Sequence, residues 1–254
     1  MAVKLLTLAR DLQRRRARER HGLFVAEGAR TVEELLSSPL AVRGALVGRA
    51  ENDTQRVAAL RAELFRRGIP AEEVNERDFA SAASTDSTQG VLAIAAIPPR
   101  DLHTLTLPST ATLLLLDGVQ DPGNAGALLR TAAALGASAM IALPGTVDLW
   151  NAKVVRSAMG ALFHQLAVSI TWEALDEFRL AHHVALWGAA ADGEPMHGVT
   201  APARLALVIG NEGAGLSREA LRRVERSVGV PLAPDSESLN VAVAAGILLY
   251  HFHP

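Results

Sequence analysis

The 254-residue sequence predicts an α/β protein of two domains, the second built on a parallel sheet covered by helices on both faces. Short apolar runs alternate with segments of helical spacing along most of the chain. The stretch "IPPRDLHTLTLPST", residues 97–110, breaks that alternation with three prolines and no steady period, which marks a linker. Beyond it, three strand–turn–helix units carry glycine-rich turns. The expected division is a small α/β domain over 1–97, a linker over 98–110 and a larger α/β domain over 111–254.

Before the linker, helical spacing over Leu5–Arg18, Ala29–Leu36 and Thr54–Arg67 alternates with β-rich runs at Leu23–Val25, Ala41–Val47 and Val91–Ile97. The polar stretch "SAASTDSTQG", 81–90, reads as a surface loop. After the linker, strands are expected at Thr112–Leu116, Ala139–Leu143, Leu166–Ile170, Val184–Trp187, Leu205–Ile209 and Ser227–Val230. Helices are expected at Gly126–Leu135, Lys153–Leu162, Glu173–Ala181, Ser217–Val224 and Leu239–His251.

Composition excludes several classes. With no cysteine there is no disulfide framework, thiolate metal site or cysteine nucleophile. The longest apolar runs, such as Val241–Tyr250, are too short to span a bilayer. Residues 1–25 lack the apolar core of a secretion signal, so a cytoplasmic protein is expected. His182-His183 and His251-Phe252-His253 have no carboxylate or thiolate at ligand spacing, and no metal is expected. No Gly-x-Ser-x-Gly elbow anchors a hydrolase triad.

Net charge is only −2 but unevenly spread. Residues 1–97 hold 15 Lys/Arg against 13 Asp/Glu, and residues 98–254 hold 10 against 14. The imbalance centres on "RDLQRRRARERHG", 10–22, where Arg14, Arg15, Arg16, Arg18 and Arg20 create a positive field suited to phosphate. The alternative is a solvated helix face laced with Asp11 and Glu19.

The three glycine turns carry the chemistry. "DPGNAGALLR" has Gly-x-x-Gly only, with no acidic residue at the position a dinucleotide fold needs. No Gly-Lys-Ser/Thr is present, which removes phosphate-loop chemistry. "LALVIGNEGAGLSREAL", 205–221, and "VGVPLAPDSESLNVAVAAGILLYHF", 228–252, repeat the strand–turn–helix pattern. Three such turns at the carboxyl ends of neighbouring strands would line one crevice. Their small residues let backbone groups approach a flat ligand, and none supplies a lysine for a triphosphate. The crevice suits a cofactor with an adenine and few negative charges.

These three motifs resemble, in order and spacing, those of the SpoU family of RNA ribose 2′-O-methyltransferases of the SPOUT superfamily. The N-terminal "RRRARERHGLFVAEGARTVEELL" and "TQGVLAIA" are similar to the RNA substrate-binding domain often found ahead of that catalytic domain. One departure is Ala242 in "SLNVAVA", where many relatives carry serine.

The resemblance implies a C-terminal α/β/α SPOUT domain with a trefoil knot, a device that composition alone never predicts. It implies S-adenosyl-L-methionine as cofactor, held largely by backbone at Leu186, Gly188, Gly210, Asn211, Glu212, Gly213, Val230, Pro231 and Leu239. It assigns catalytic roles to Asn124, Arg130, Ser238 and Asn240. Arginine stays protonated in proteins, so a forked clamp on the phosphate beside the target ribose is the physically sound role for Arg130. Ser238 and Asn240 would orient the ribose or cap the last helix, and Glu212 would brace the loops. Arg14, Arg15, Arg16, Arg18 and Arg156 are the candidate RNA contacts, with a structural ion pair the alternative for Arg156. A homodimer is expected, acting on rRNA ahead of tRNA. Two rivals stand: a non-catalytic RNA-binding or ribosome-assembly factor on the same fold, and a Rossmann-type oxidoreductase.

Overall fold

The computed structural model describes residues 4–49, 54–85, 89–236 and 238–253. They form two compact units, one holding the chain up to Pro99 together with Trp150–His164, the other Arg100–Leu149 and Gln165 onward.

The first unit runs α1 (Leu5–Asp11), α2 (Arg15–His21), β1 (Leu23–Glu27), α3 (Ala29–Ser37), β2 (Val42–Gly48), α4 (Gln55–Arg66), β3 (Ala71–Val74), α5 (Glu76–Ala82) and β4 (Val91–Ala96). Its sheet has the order β1-β4-β2-β3, with β4 antiparallel to both neighbours and β3 parallel to β2. Leu12, Val25, Leu46, Phe79, Leu92 and Ile94 fill one core cluster. The expected helix Leu5–Arg18 is in fact two. Arg18 turns inward, 3% exposed, and its Nη1 donates to the carbonyls of Leu12 (2.8 Å) and Gln13 (2.9 Å). Leu12 is the C-terminal cap of α1 and Gln13 follows it, so the guanidinium holds the corner between the two helices from inside. Two further elements lie outside the expected set. β3 buries only Val74 of its "AEEV", so no apolar alternation marks it. α5 starts at the Asn75 cap, whose side chain accepts from Asp78 N–H at 2.8 Å.

The remaining chain runs β5 (Ala111–Leu116), α6 (Pro122–Ala134), β6 (Ala139–Ala142), α7 (Ala152–Ser157), α8 (Ala161–His164), β7 (Ala167–Ser169), α9 (Trp172–His182), β8 (Ala185–Pro195), β9 (Arg204–Ile209), α10 (Arg218–Arg223), β10 (Arg226–Gly229) and α11 (Val241–His251). The second unit's six strands are ordered β10-β8-β9-β5-β6-β7 and every pairing is parallel. All six residues of β5 are buried, as an apolar run between two covered faces requires.

Three local departures matter. α7 and α8 belong to the first unit, where Trp150 and Phe163 lie 4.6 and 5.8 Å from the Phe24 ring. The expected helix Lys153–Leu162 breaks between them at Met159 and Gly160, both at positive φ. A Cβ on Gly160 would meet Glu34 Cβ at 2.7 Å, so only glycine fits that approach. The proline-rich stretch is no free tether in its second half. Leu102 and Leu107 are buried in the second unit, and Arg204 Nε donates to Pro108 O at 2.9 Å. β8 continues eight residues past Trp187, through "GAAADGEP", where small residues carry no alternation to read. β10 follows it, pairing with Trp187 and Gly188 and then shifting to Glu194 and Pro195. Among the described residues no helix is long and apolar enough to cross a membrane.

Candidate functional site

The carboxyl ends of β5, β9 and β10 each release a turn, and each turn is built by side chains that satisfy backbone groups. After β5, buried Asp117 accepts from Ser217 N–H at 2.7 Å and ties the first turn to the start of α10. Asp121 caps α6 through Asn124 N–H (2.7 Å), with Pro122 in the first helical turn, where its missing donor is harmless. After β9, Asn211 closes the turn in both directions with Gly215, at 2.8 and 2.9 Å. Its Oδ1 accepts from the amides of Gly213 and Ala214, and its Nδ2 donates to Gly118 O at 2.9 Å. After β10, Asn240 caps α11 through Ala242 N–H at 2.9 Å.

The three turns meet in one hydrogen-bond chain. Glu212 Oε1 accepts from Asn124 Nδ2 at 3.1 Å and Asp121 N–H at 3.2 Å, while Oε2 accepts from Gln120 N–H at 3.3 Å. Asn124 Oδ1 then accepts from Asn240 Nδ2 at 3.0 Å. An ionised carboxylate only accepts, so Asn124 must present its amide nitrogen to Glu212 and its oxygen to Asn240. One glutamate thereby sets the orientation of two amides. Burial pushes the Glu212 carboxyl up, but the hydrogen bonds from its own amide, Asn124, Asp121 and Gln120 outweigh that and hold it below the ordinary value.

Beside this chain lies a cavity of about 400 Å³, within the range of small-molecule sites. Gly210, Asn211, Glu212, Val230, Ser238 and Leu239 are on its wall. Leu186 is not: it is fully buried in the core of the second unit. Gly188 lies behind the wall, where a Cβ would strike Leu216 Cδ1 at 2.5 Å. Gly213 and Pro231 also stand outside the lining. The stretch Ala189–Asp192, with Val228 and Gly229, completes the wall and was missed in the sequence. A run of alanines leading to Asp-Gly was its one available signal.

The wall fits an adenosyl cofactor without phosphates. It is mostly aliphatic and small, carries backbone donors and acceptors along Gly210–Leu216, and has no lysine or arginine among its described residues. Gly210 is required by the turn itself: a Cβ there would lie 2.3 Å from the Gly215 carbonyl carbon and 2.5 Å from Leu216 N. Among the described residues there is no cluster of three or more metal-type ligands.

Arg130 sits on α6, exposed, six residues or about 9 Å along the axis from Asn124. It makes no hydrogen bond or ion pair with another described residue. In the first unit, Arg14, Arg15 and Arg16 are exposed, with Arg14 paired to Asp11 and Arg15 to Glu19 (2.8 Å). Arg18 is spent on the α1–α2 corner, which corrects its reading as a phosphate contact. Arg156 is half-buried on α7, which groups with the first unit and not with the cavity residues.

Residues 111–250 match the SpoU rRNA Methylase family and residues 4–93 match the MRM3-like substrate binding domain. The chain is 35% identical over 95% of its length to the 23S rRNA (guanosine(2553)-2'-O)-methyltransferase RlmP of Bacillus subtilis, 93% of which is covered. It is similar to the SpoU methyltransferase AviRb of Streptomyces viridochromogenes solved with AdoMet, with a TM-score of 0.84 and 27% identity over 98% of this chain and 97% of that one. An AdoMet-bound rRNA methyltransferase from Sinorhizobium meliloti gives a TM-score of 0.83 at 27% identity over 98% of this chain and 95% of that one.

Proposed function

The chain belongs to the SpoU rRNA methylase family, and from that premise we propose that it transfers the methyl group of S-adenosyl-L-methionine to a ribose 2′-hydroxyl of structured RNA, with rRNA the substrate ahead of tRNA. The observation that carries this is the Glu212–Asn124–Asn240 chain, which joins all three motif turns at the edge of a cavity with no lysine or arginine among its described lining residues.

The bound cofactor supplies an electrophilic methyl group on a sulfonium. The chain's own residues do the rest. Gly210, Val230 and Leu239 offer backbone and apolar contacts on the cavity wall. Arg130 clamps the phosphate next to the target ribose and so sets the direction of the hydroxyl. Its guanidinium keeps its own protons, so the phosphate or a water takes the hydroxyl proton. Alignment of this kind is worth roughly 7–11 kcal/mol in the best intramolecular cases. The C-terminal segment is threaded as a knot in this reading. Supporting it, β10 pairs beyond β8 at the sheet edge, yet the chain returns so that α11 packs on α6.

The active form is a homodimer in the cytoplasm, and α11 supplies its face. Val243 is 51% and Tyr250 76% exposed there, beside Leu239 at 38%, an apolar surface of the kind that marks association. Arg14, Arg15 and Arg16 contact RNA phosphates from the first unit. Incubating the protein with tritiated S-adenosyl-L-methionine and rRNA, then mapping 2′-O-methyl ribose by mass spectrometry, tests the reaction. Cofactor binding without methyl incorporation into any RNA favours the non-catalytic rival, and binding of NAD in place of the sulfonium compound favours the oxidoreductase.

A further inference from the structure

We propose that Asp192 makes the cavity select the charged methyl donor over the uncharged product that remains after transfer. This rests on the methyltransferase reading above and names a residue that sequence motifs do not mark.

Among the described residues, only two charged side chains line the cavity, Asp192 and Glu212, and both are acidic. Their situations differ. The Glu212 carboxylate is occupied by Gln120, Asp121 and Asn124, so its charge is spread into the hydrogen-bond chain of the loops. Asp192 makes no hydrogen bond or ion pair with another described residue. It sits on the extension of β8, and the strand is held in place by a close backbone approach: a Cβ on Gly193 would lie 2.7 Å from the Val228 carbonyl carbon. Among the described residues, no cation of the protein lines the cavity to neutralise it.

S-adenosyl-L-methionine carries a sulfonium, an ammonium and a carboxylate, which leaves one net positive charge. Loss of the methyl turns the sulfonium into a thioether and leaves the product, S-adenosyl-L-homocysteine, with none. A carboxylate with no partner among the described residues therefore attracts the donor and gains nothing from the net charge of the product. At a solvent-exposed position, one such charge changes affinity by about five- to tenfold. The consequence is weaker competitive inhibition by the product at a given donor concentration.

The test is calorimetric titration of wild type and Asp192→Asn with three ligands: the donor, the thioether product, and sinefungin, an uncleavable analogue with a charged amine in place of the sulfonium. The expected result is donor and sinefungin binding weakened about five- to tenfold with product binding changed less than about twofold. Equal weakening of all three overturns the proposal and assigns Asp192 to a group they share, a ribose hydroxyl or the ammonium. No change in any ligand overturns it as well. Thermal unfolding of both proteins without ligand checks that the exposed substitution leaves the fold intact, and Asp192→Ser provides a second variant if it does not. Failure of wild type to bind any of the three sinks the methyltransferase reading itself, a result separate from the failure of the selectivity.

Discussion

Asn124 is held at both ends of its side-chain amide, by Glu212 and by Asn240. Replacing Glu212 with glutamine puts a donor where Oε2 now accepts from Gln120 N–H, so a donor faces a donor. Glu212→Gln is expected to lower stability by about 1 kcal/mol, read by thermal unfolding, and to reduce methyl transfer more than cofactor affinity. The pH dependence has a definite sign. The folded Glu212 carboxyl lies below the 4.5 of an ordinary glutamate, so its contribution is present above that pH and is lost as pH falls through the folded value. The stability gap between wild type and Glu212→Gln should shrink on acidification below about 4.5; a gap constant with pH contradicts the role. Arg130→Ala should leave cofactor binding unchanged and cut transfer about a hundredfold, the scale of a misplaced reactant. Unchanged transfer removes Arg130 from the mechanism.

At the scale of elements, the turn after β9 tolerates a side chain at one glycine and not at another. A Cβ on Gly210 meets the Gly215 and Leu216 backbone at 2.3–2.5 Å, whereas one on Gly213 finds only Asn211 Oδ1 at 3.8 Å. Gly210→Ala should therefore destabilise by about 1–3 kcal/mol and abolish cofactor binding, while Gly213→Ala should be close to neutral in both. Calorimetry and thermal unfolding on the pair decide it, and equal effects would show that the turn is not rigid. Helices with a clear apolar period were legible, and α3, α4 and α9 fall where that spacing placed them. α11, β5, β6 and β9 were legible as apolar runs bounded by turn residues, and α6 begins at Pro122, four residues before its expected start. β3 and the β8 extension were not legible, because their pairing comes from neighbouring strands and not from their own pattern. The breaks after α1 and α7 were invisible for a related reason. A buried Arg18 and a Gly160 pressed on Glu34 are consequences of packing.

At the scale of the whole molecule, the exposed face of α11 and the arginine run of the first unit make separate predictions. Val243→Asp combined with Tyr250→Ser should convert a dimer into monomers in sedimentation velocity; a double variant that still sediments as a dimer places the interface elsewhere. Reversing the charge of Arg14, Arg15 and Arg16 should weaken RNA binding and flatten its salt dependence, by about 0.9 in log–log slope for each duplex phosphate that is no longer neutralised. Cofactor affinity should not move. If RNA affinity is also unchanged, those arginines are solvated surface, with Arg14 paired to Asp11 and Arg15 to Glu19.

The sequence alone determined the fold class and the identity of the three turns. Both follow from local chemistry: apolar runs that must be covered on two faces, and small or capping residues that a turn cannot do without. It also carried Asn124, Glu212 and Asn240 as separate marks. Only the tertiary structure decided that these three form one hydrogen-bonded chain, that Leu186 belongs to the core, and that Asp192 faces the cavity. Those outcomes depend on residues about 30 to 120 positions apart meeting in space, set by strand order and crossover packing, which no short window of sequence contains.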